Sequence, residues 1–222
     1  MNAQLISFVL SLSIAIAGII GIIRFRTIDR SYYPFLYDIW LALLVELVVF
    51  VLGQAKAYDA LNGVVNLFSL ADCLLFTWLF YRWNLFKRHS VILYTLVGFF
   101  IVTWVIITFF VHGFSENNWY FRLIYSFVLI FVGVTFFNKV VVTERGNMLR
   151  NSQFLICLGL IIFYTFFTVV CATQVSVFKN EVSIEFRRSL QQINIFSNVF
   201  VNLIYALAVL WIPRKKVYTT AY

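Results

Sequence analysis

The chain has 222 residues, 63% of them hydrophobic, with a mean hydropathy of +0.92 and a net charge of +8. That composition lies far outside an ordinary soluble domain. Seven long apolar stretches take up nearly the whole length, leaving no room for an attached kinase, nuclease or extracellular module, so one integral membrane domain is expected over residues 1–222.

The stretches fall near residues 4–23, 32–53, 61–82, 91–112, 119–138, 153–174 and 190–212. Each matches the ~20 residues a helix needs to cross a bilayer core. Lipid offers no partner to an open backbone amide, so each should be helical along its length. The expected fold class is an all-α, polytopic seven-transmembrane-helix bundle.

The first stretch follows Met1-Asn2-Ala3-Gln4, which has no basic residue, and precedes Arg24 and Arg26. It reads as a retained span and not as a cleaved signal. Ser7, Ser11, Ala15 and Gly18 recur at helical spacing, a small-residue face that lets a neighbouring helix come close. Pro34 sits in the first turn of the second span, where its missing N–H is harmless. The chain has only two prolines and nine glycines, so mostly continuous helices are expected.

The second span carries Asp38 and Glu46, and the third carries Asn66, Ser69 and Asp72. Ionisable groups at membrane depth are expensive and turn toward the bundle interior, which makes Glu46 and Asp72 the leading functional residues. Asp38 lies nearer its helix end and is expected to pair with Arg24 or Arg26. In the seventh span Gln191, Asn194, Asn198, Asn202 and Tyr205 recur at intervals of 3, 4, 4 and 3. That spacing places all five on one helical face, and four amides in register cannot face lipid cheaply. One polar cluster built from spans 2, 3 and 7 is therefore expected, with Arg122, Arg187 and Arg188 supplying charge at its mouth. The same amides would also serve as interhelical hydrogen bonds that only hold the bundle together.

Twelve basic residues, Arg24, Arg26, Arg30, Arg82, Lys87, Arg88, Lys139, Arg145, Arg150, Arg214, Lys215 and Lys216, fall on one side of the seven spans. The other side holds Lys56, Arg122, Lys179, Arg187 and Arg188. By the positive-inside rule the first set is cytoplasmic, with the N-terminus outside and the C-terminus inside a bacterial cytoplasmic membrane.

Several chemistries are disfavoured. No lysine occupies mid-span for a retinal Schiff base. The two histidines, His89 and His112, fall on opposite sides, and Cys73, Cys157 and Cys171 have no zinc spacing. No phosphate loop appears. The reading is non-enzymatic, with no cofactor, no metal and no nucleic acid.

Seven spans with an outside N-terminus share the topology of G-protein-coupled receptors, with Tyr81-Arg82-Trp83 and Asn202-Leu203-Ile204-Tyr205 as loose echoes of receptor motifs. A closer likeness runs through spans 2, 3 and 7. Glu46, then Asn66-Leu67-Phe68-Ser69-Leu70-Ala71-Asp72, Leu75-Phe76 and Phe80-Tyr81-Arg82-Trp83, with an Asn-rich last span ending in Trp211 and a basic tail, resembles a group of small uncharacterised seven-helix membrane proteins of the Bacteroidota. Many of those carry Glu where Asp72 stands. The resemblance implies a receptor-like or sensory module working beside a cytoplasmic or membrane signalling partner, a histidine kinase by analogy. The alternatives are a small-solute or proton-coupled transporter using Glu46 and Asp72, and a structural or assembly subunit. The sequence leaves the oligomeric state open.

Overall fold

A computed structural model describes residues 3–86, 90–144, 146–175 and 182–215. Its α-helices are α1 (Ala3–Ser11), α2 (Ile14–Arg24), α3 (Tyr33–Gln54), α4 (Tyr58–Arg82), α5 (Ser90–Ile106), α6 (Trp119–Thr143), α7 (Ser152–Gln174) and α8 (Ile184–Trp211). Lys87, Arg88, His89, Arg145, Lys179, Glu181 and Lys216, with the side chains of Ser7 and His112, lie outside the described residues.

Among the described residues, six segments are long and apolar enough to cross a membrane: Arg30–Gln54, Tyr58–Arg82, Val91–Val111, Trp119–Thr143, Ser152–Gln174 and Ile184–Trp211. By helix length and composition this is a helical, multi-pass membrane protein. The first apolar stretch differs from expectation, because its apolar helix is shorter, Phe8–Arg24. It is also divided into α1 and α2. At the joint the chain tightens, with Ser13 N donating to Leu10 O at 3.1 Å and Ala15 N to Leu12 O at 2.9 Å. The cause is local: Ser11 Oγ donates back to Phe8 O at 2.9 Å, a side-chain bond that competes with a regular helix.

Two other boundaries move. The fifth span continues past residue 138 to Thr143, which lets Lys139 reach Asn84 O at 3.4 Å from the helix itself. The last helix starts at Ile184 and not near 190, because Ser183 Oγ caps it by accepting from Phe186 N at 3.2 Å. Asn118 and Asn151 cap α6 and α7 in the same way.

The helix α5 widens into a π turn over Ile107–His112 and stops at Gly113, whose φ of 92° only glycine adopts freely. The wide turn leaves Thr108 fully buried, with its hydroxyl accepting from Asn118 Nδ2 at 2.9 Å.

The main packing partners are α6 with α7, α7 with α8, and α3 with α4. Ala17, Gly18 and Gly21 of α2 are buried, and Trp40 Nε1 of α3 donates to Gly18 O at 3.1 Å. Small residues here bring α2 onto α3 within the same chain. Gly159 does likewise for α7 and α8: a Cβ there would stand 2.5 Å from the Tyr205 ring.

One end of the bundle is held by a polar clasp. Arg24 donates to the carbonyls of Val209, Leu210 and Ile212, the open acceptors at the C-terminus of α8. Ile28 and Arg214 form an antiparallel bridge, supported by Asp29 N to Pro213 O at 3.1 Å and Lys215 N to Thr27 O at 2.8 Å. Ser152 Oγ donates to Tyr32 Oη at 2.9 Å beside them. Arg24 is thus occupied by α8 and not by Asp38, while Arg26 is exposed.

Candidate functional site

The helices α3, α4, α6, α7 and α8 enclose a cavity of about 300 Å³, with Ser11 and Ile14 closing one side. Its size is at the lower end of the range for small-molecule sites. The walls are mostly apolar, among them Val45, Val65, Phe76, Phe163 and Phe167. Polar groups converge from three directions.

The first group is a carboxyl pair with two phenols. Asp72 on α4 is 4% exposed and accepts from Tyr164 Oη of α7 at 2.5 Å. Tyr125 of α6 and Asp38 of α3 line the same wall as Asp72. Asp38 is 7% exposed, and its Oδ1 is buried with no partner among the described residues.

The second is Arg122 on α6, 5% exposed. It lies over the Trp119 ring at 4.9 Å, and Nη2 makes long contacts of 3.4 Å with Asn66 Oδ1 and Asn117 Oδ1. Its Nε is buried with no partner among the described residues. The third is the amide face of α8. Asn194, Asn198, Asn202 and Tyr205 line the cavity; Asn194 Oδ1 has no partner among the described residues, while Asn202 Nδ2 donates to Ser13 Oγ at 2.8 Å.

Glu46 is half-buried beside Ser11. A second cleft of about 240 Å³ runs past Phe50, Gln54 and Tyr58 near the α3–α4 turn, and shares Ser11, Glu46 and Val49 with the main cavity. Glu46 therefore stands where the two spaces adjoin.

Of the residues singled out by sequence, Glu46, Ser69, Asp72, Asn194, Asn198, Asn202, Tyr205 and Arg122 line the cavity. Asn66 does not. It is fully buried, but its amide donates to Phe114 O at 3.1 Å and Glu116 O at 2.7 Å, and its Oδ1 accepts from Asn118 N at 3.2 Å. Trp104 Nε1 donates to its backbone carbonyl at 3.0 Å. Asn66 thus pins the α5–α6 connection onto α4, a use that helical periodicity cannot reveal. Gln191 and Arg188 are exposed, and Arg187 is outside the lining. Arg122 is not a rim charge: it is buried in the wall.

Three contributors were missed or undervalued from sequence. Asp38 was assigned to Arg24 or Arg26, yet it lines the cavity with Asp72. The reason is that Asp38 shares one face of α3 with Ala42, Val45, Glu46 and Val49, the face turned to the cavity, while Arg24 is taken up by the carbonyls at the end of α8. Tyr125 and Tyr164 are lost among a 20% aromatic background, though Arg122, Tyr125 and Ser126 do share the i, i+3, i+4 spacing of one face.

The fold and cavity define a helical polytopic membrane protein with a polar chamber inside its bundle. Comparison with protein-family models, curated proteins and solved structures returns no match.

Proposed function

We propose that the protein is a receptor-like membrane module that recognises a small ligand in this cavity and has no enzymatic role. The observation that carries the reading is the convergence of Asp38, Arg122 and Asn194 on one space, with Asp38 Oδ1, Arg122 Nε and Asn194 Oδ1 all buried and unpartnered among the described residues. An unmet buried polar atom costs about 1–3 kcal/mol, more when the group is charged, and a ligand that meets it recovers that cost. Polar groups retained only to hold helices together would be paired with one another.

In this reading the clasp end, rich in Arg and Lys, faces the cytoplasm, the N-terminus is outside, and all seven apolar stretches cross the bacterial cytoplasmic membrane. Cavity occupancy would reach the clasp end through α8, which carries Tyr205 at the cavity and the Arg24 contacts at its last turn. The basic loops there would meet a cytoplasmic partner, a histidine kinase by the resemblance to the Bacteroidota proteins. They also attract anionic lipid at about 1 kcal/mol per charge.

A second reading is proton-coupled transport. Three carboxyls favour it: Asp38 and Asp72 in the cavity wall, and Glu46 where the second cleft adjoins it.

The test introduces Ser69→Cys, whose thiol would lie in the cavity wall. The three native cysteines are fully buried and supply the background. A ligand chamber open to small solutes gives labelling of Ser69→Cys by methanethiosulfonate reagents well above the parent protein. No labelling above the parent overturns the reading and leaves the polar groups as packing. Proteoliposomes separate the two functional readings: transport gives proton or solute flux that disappears in Asp72→Asn, whereas a receptor gives none.

A further inference from the structure

The two charged parts of the cavity wall fix what kind of ligand can complete it. We propose that the ligand is a small zwitterion, its anionic group held by Arg122 and its ammonium by Asp38 and Asp72. The inference rests on the reading of the cavity as a ligand site.

The distances follow from α4. Arg122 Nη2 is anchored at Asn66, and the acidic pair is centred on Asp72, six residues further along the same helix. At 1.5 Å per residue the two are about 9 Å apart along the axis. That is too far for them to pair directly. If a ligand makes a hydrogen bond of about 2.9 Å to each, about 3 Å remains between its own charged atoms. A spacing of this order separates the ammonium and carboxylate of an α-amino acid, and a slightly longer one separates the ammonium and phosphate of an ethanolamine headgroup.

The charges agree with the distances. Two carboxyls set in one buried wall repel each other when both are ionised, so a single negative charge between them is the cheaper state, and Arg122 supplies one positive charge. A ligand with a single charge would satisfy one wall and leave the opposite one buried and unpaired, an arrangement that is strongly destabilising. A zwitterion satisfies both and adds no net charge to the membrane interior. Among the described residues, Asp38 Oδ1 and Arg122 Nε are an unpartnered acceptor and donor at the two ends, and Asn194 Oδ1 offers a further acceptor. Phe163 and Phe167 leave apolar wall for a hydrocarbon substituent.

The experiment uses the full chain in phosphatidylglycerol nanodiscs with L-leucine as probe, beside leucinamide (cation only) and N-acetyl-leucine (anion only). The expected result is a saturable rise in melting temperature with leucine that either analogue reproduces only at tenfold or higher concentration. The same leucine should protect Ser69→Cys from labelling. A parallel arm replaces phosphatidylglycerol by phosphatidylethanolamine without leucine; a rise there, lost in both Arg122→Gln and Asp38→Asn, assigns the zwitterion to a lipid headgroup. Stabilisation by leucinamide or N-acetyl-leucine equal to that by leucine overturns the zwitterion. So does the absence of any response to leucine and to phosphatidylethanolamine. If Ser69→Cys still labels in that case, the cavity stands as a ligand site and only the ligand class is wrong.

Discussion

At the scale of single residues, the cavity depends on glycines as much as on charges. Gly159 has no Cβ because the Tyr205 ring occupies its place, and Tyr205 forms part of the cavity wall. Gly159→Ala forces the ring aside, which should cost about 1–3 kcal/mol of stability by overpacking. Gly98, with nothing within 4 Å of its Cβ position, is the matched control. Gly98→Ala on α5 should be neutral or stabilise by up to about 1 kcal/mol, the helix-propensity gain. Denaturation of the two variants in micelles checks the pair. Both glycines are visible in the sequence, but nothing in the sequence separates a glycine under a tyrosine from one facing open space. The carboxyls were more legible, since a buried acid announces its own cost. Their partners were not, because Tyr125 and Tyr164 look like any other aromatic in this chain.

At the scale of helices and their connections, run length was a sound guide to α3 through α8, since lipid forces an apolar stretch to complete its own hydrogen bonds. It failed where serines offered the backbone an alternative, at the α1–α2 joint, and where Ser183 capped α8 earlier than its apolar run begins. The α2–α3 connection also holds an acid test of the clasp. Partial burial raises the Asp29 pKa, but hydrogen bonds from the Ser31 side chain and backbone, with Arg82 and Lys215 nearby, more than offset it and leave it below the ordinary value. A lowered folded value means that the stabilisation is full above the unfolded carboxylate value of about 3.9 and fades as pH falls through the folded one. Melting curves between pH 6 and pH 3 should therefore show a steeper acid loss in the parent than in Asp29→Asn, which lacks the titrating group. Identical slopes would remove Asp29 from the clasp's energetics.

At the scale of the whole molecule, a helical multi-pass membrane protein was readable from composition, and six segments among the described residues are long and apolar enough to cross a membrane where seven were expected. Which helices meet was not readable. The polar face of α8 and the acid of α4 were expected to share a site with α3, with Arg122 of α6 only at its mouth, whereas α6 and α7 supply Arg122, Tyr125 and Tyr164 to the wall itself. Inter-helix neighbours depend on packing between distant parts of the chain, which a local periodicity does not encode. The clasp shows how distant those parts are. Arg24 meets Val209 and Leu210 across 185 and 186 positions of sequence. During translation α2 is made well before α8, whose last turn carries the carbonyls that occupy its arginine. Until then an early, short helix has its strongest anchor missing, so biogenesis must tolerate a loosely held start. A ribosome-arrested chain ending at Asn198 should leave Arg24 open to proteolysis or labelling at its neighbours, and a chain released at full length should protect it. Quality control acting on the open form would then discard incomplete copies before they accumulate in the membrane.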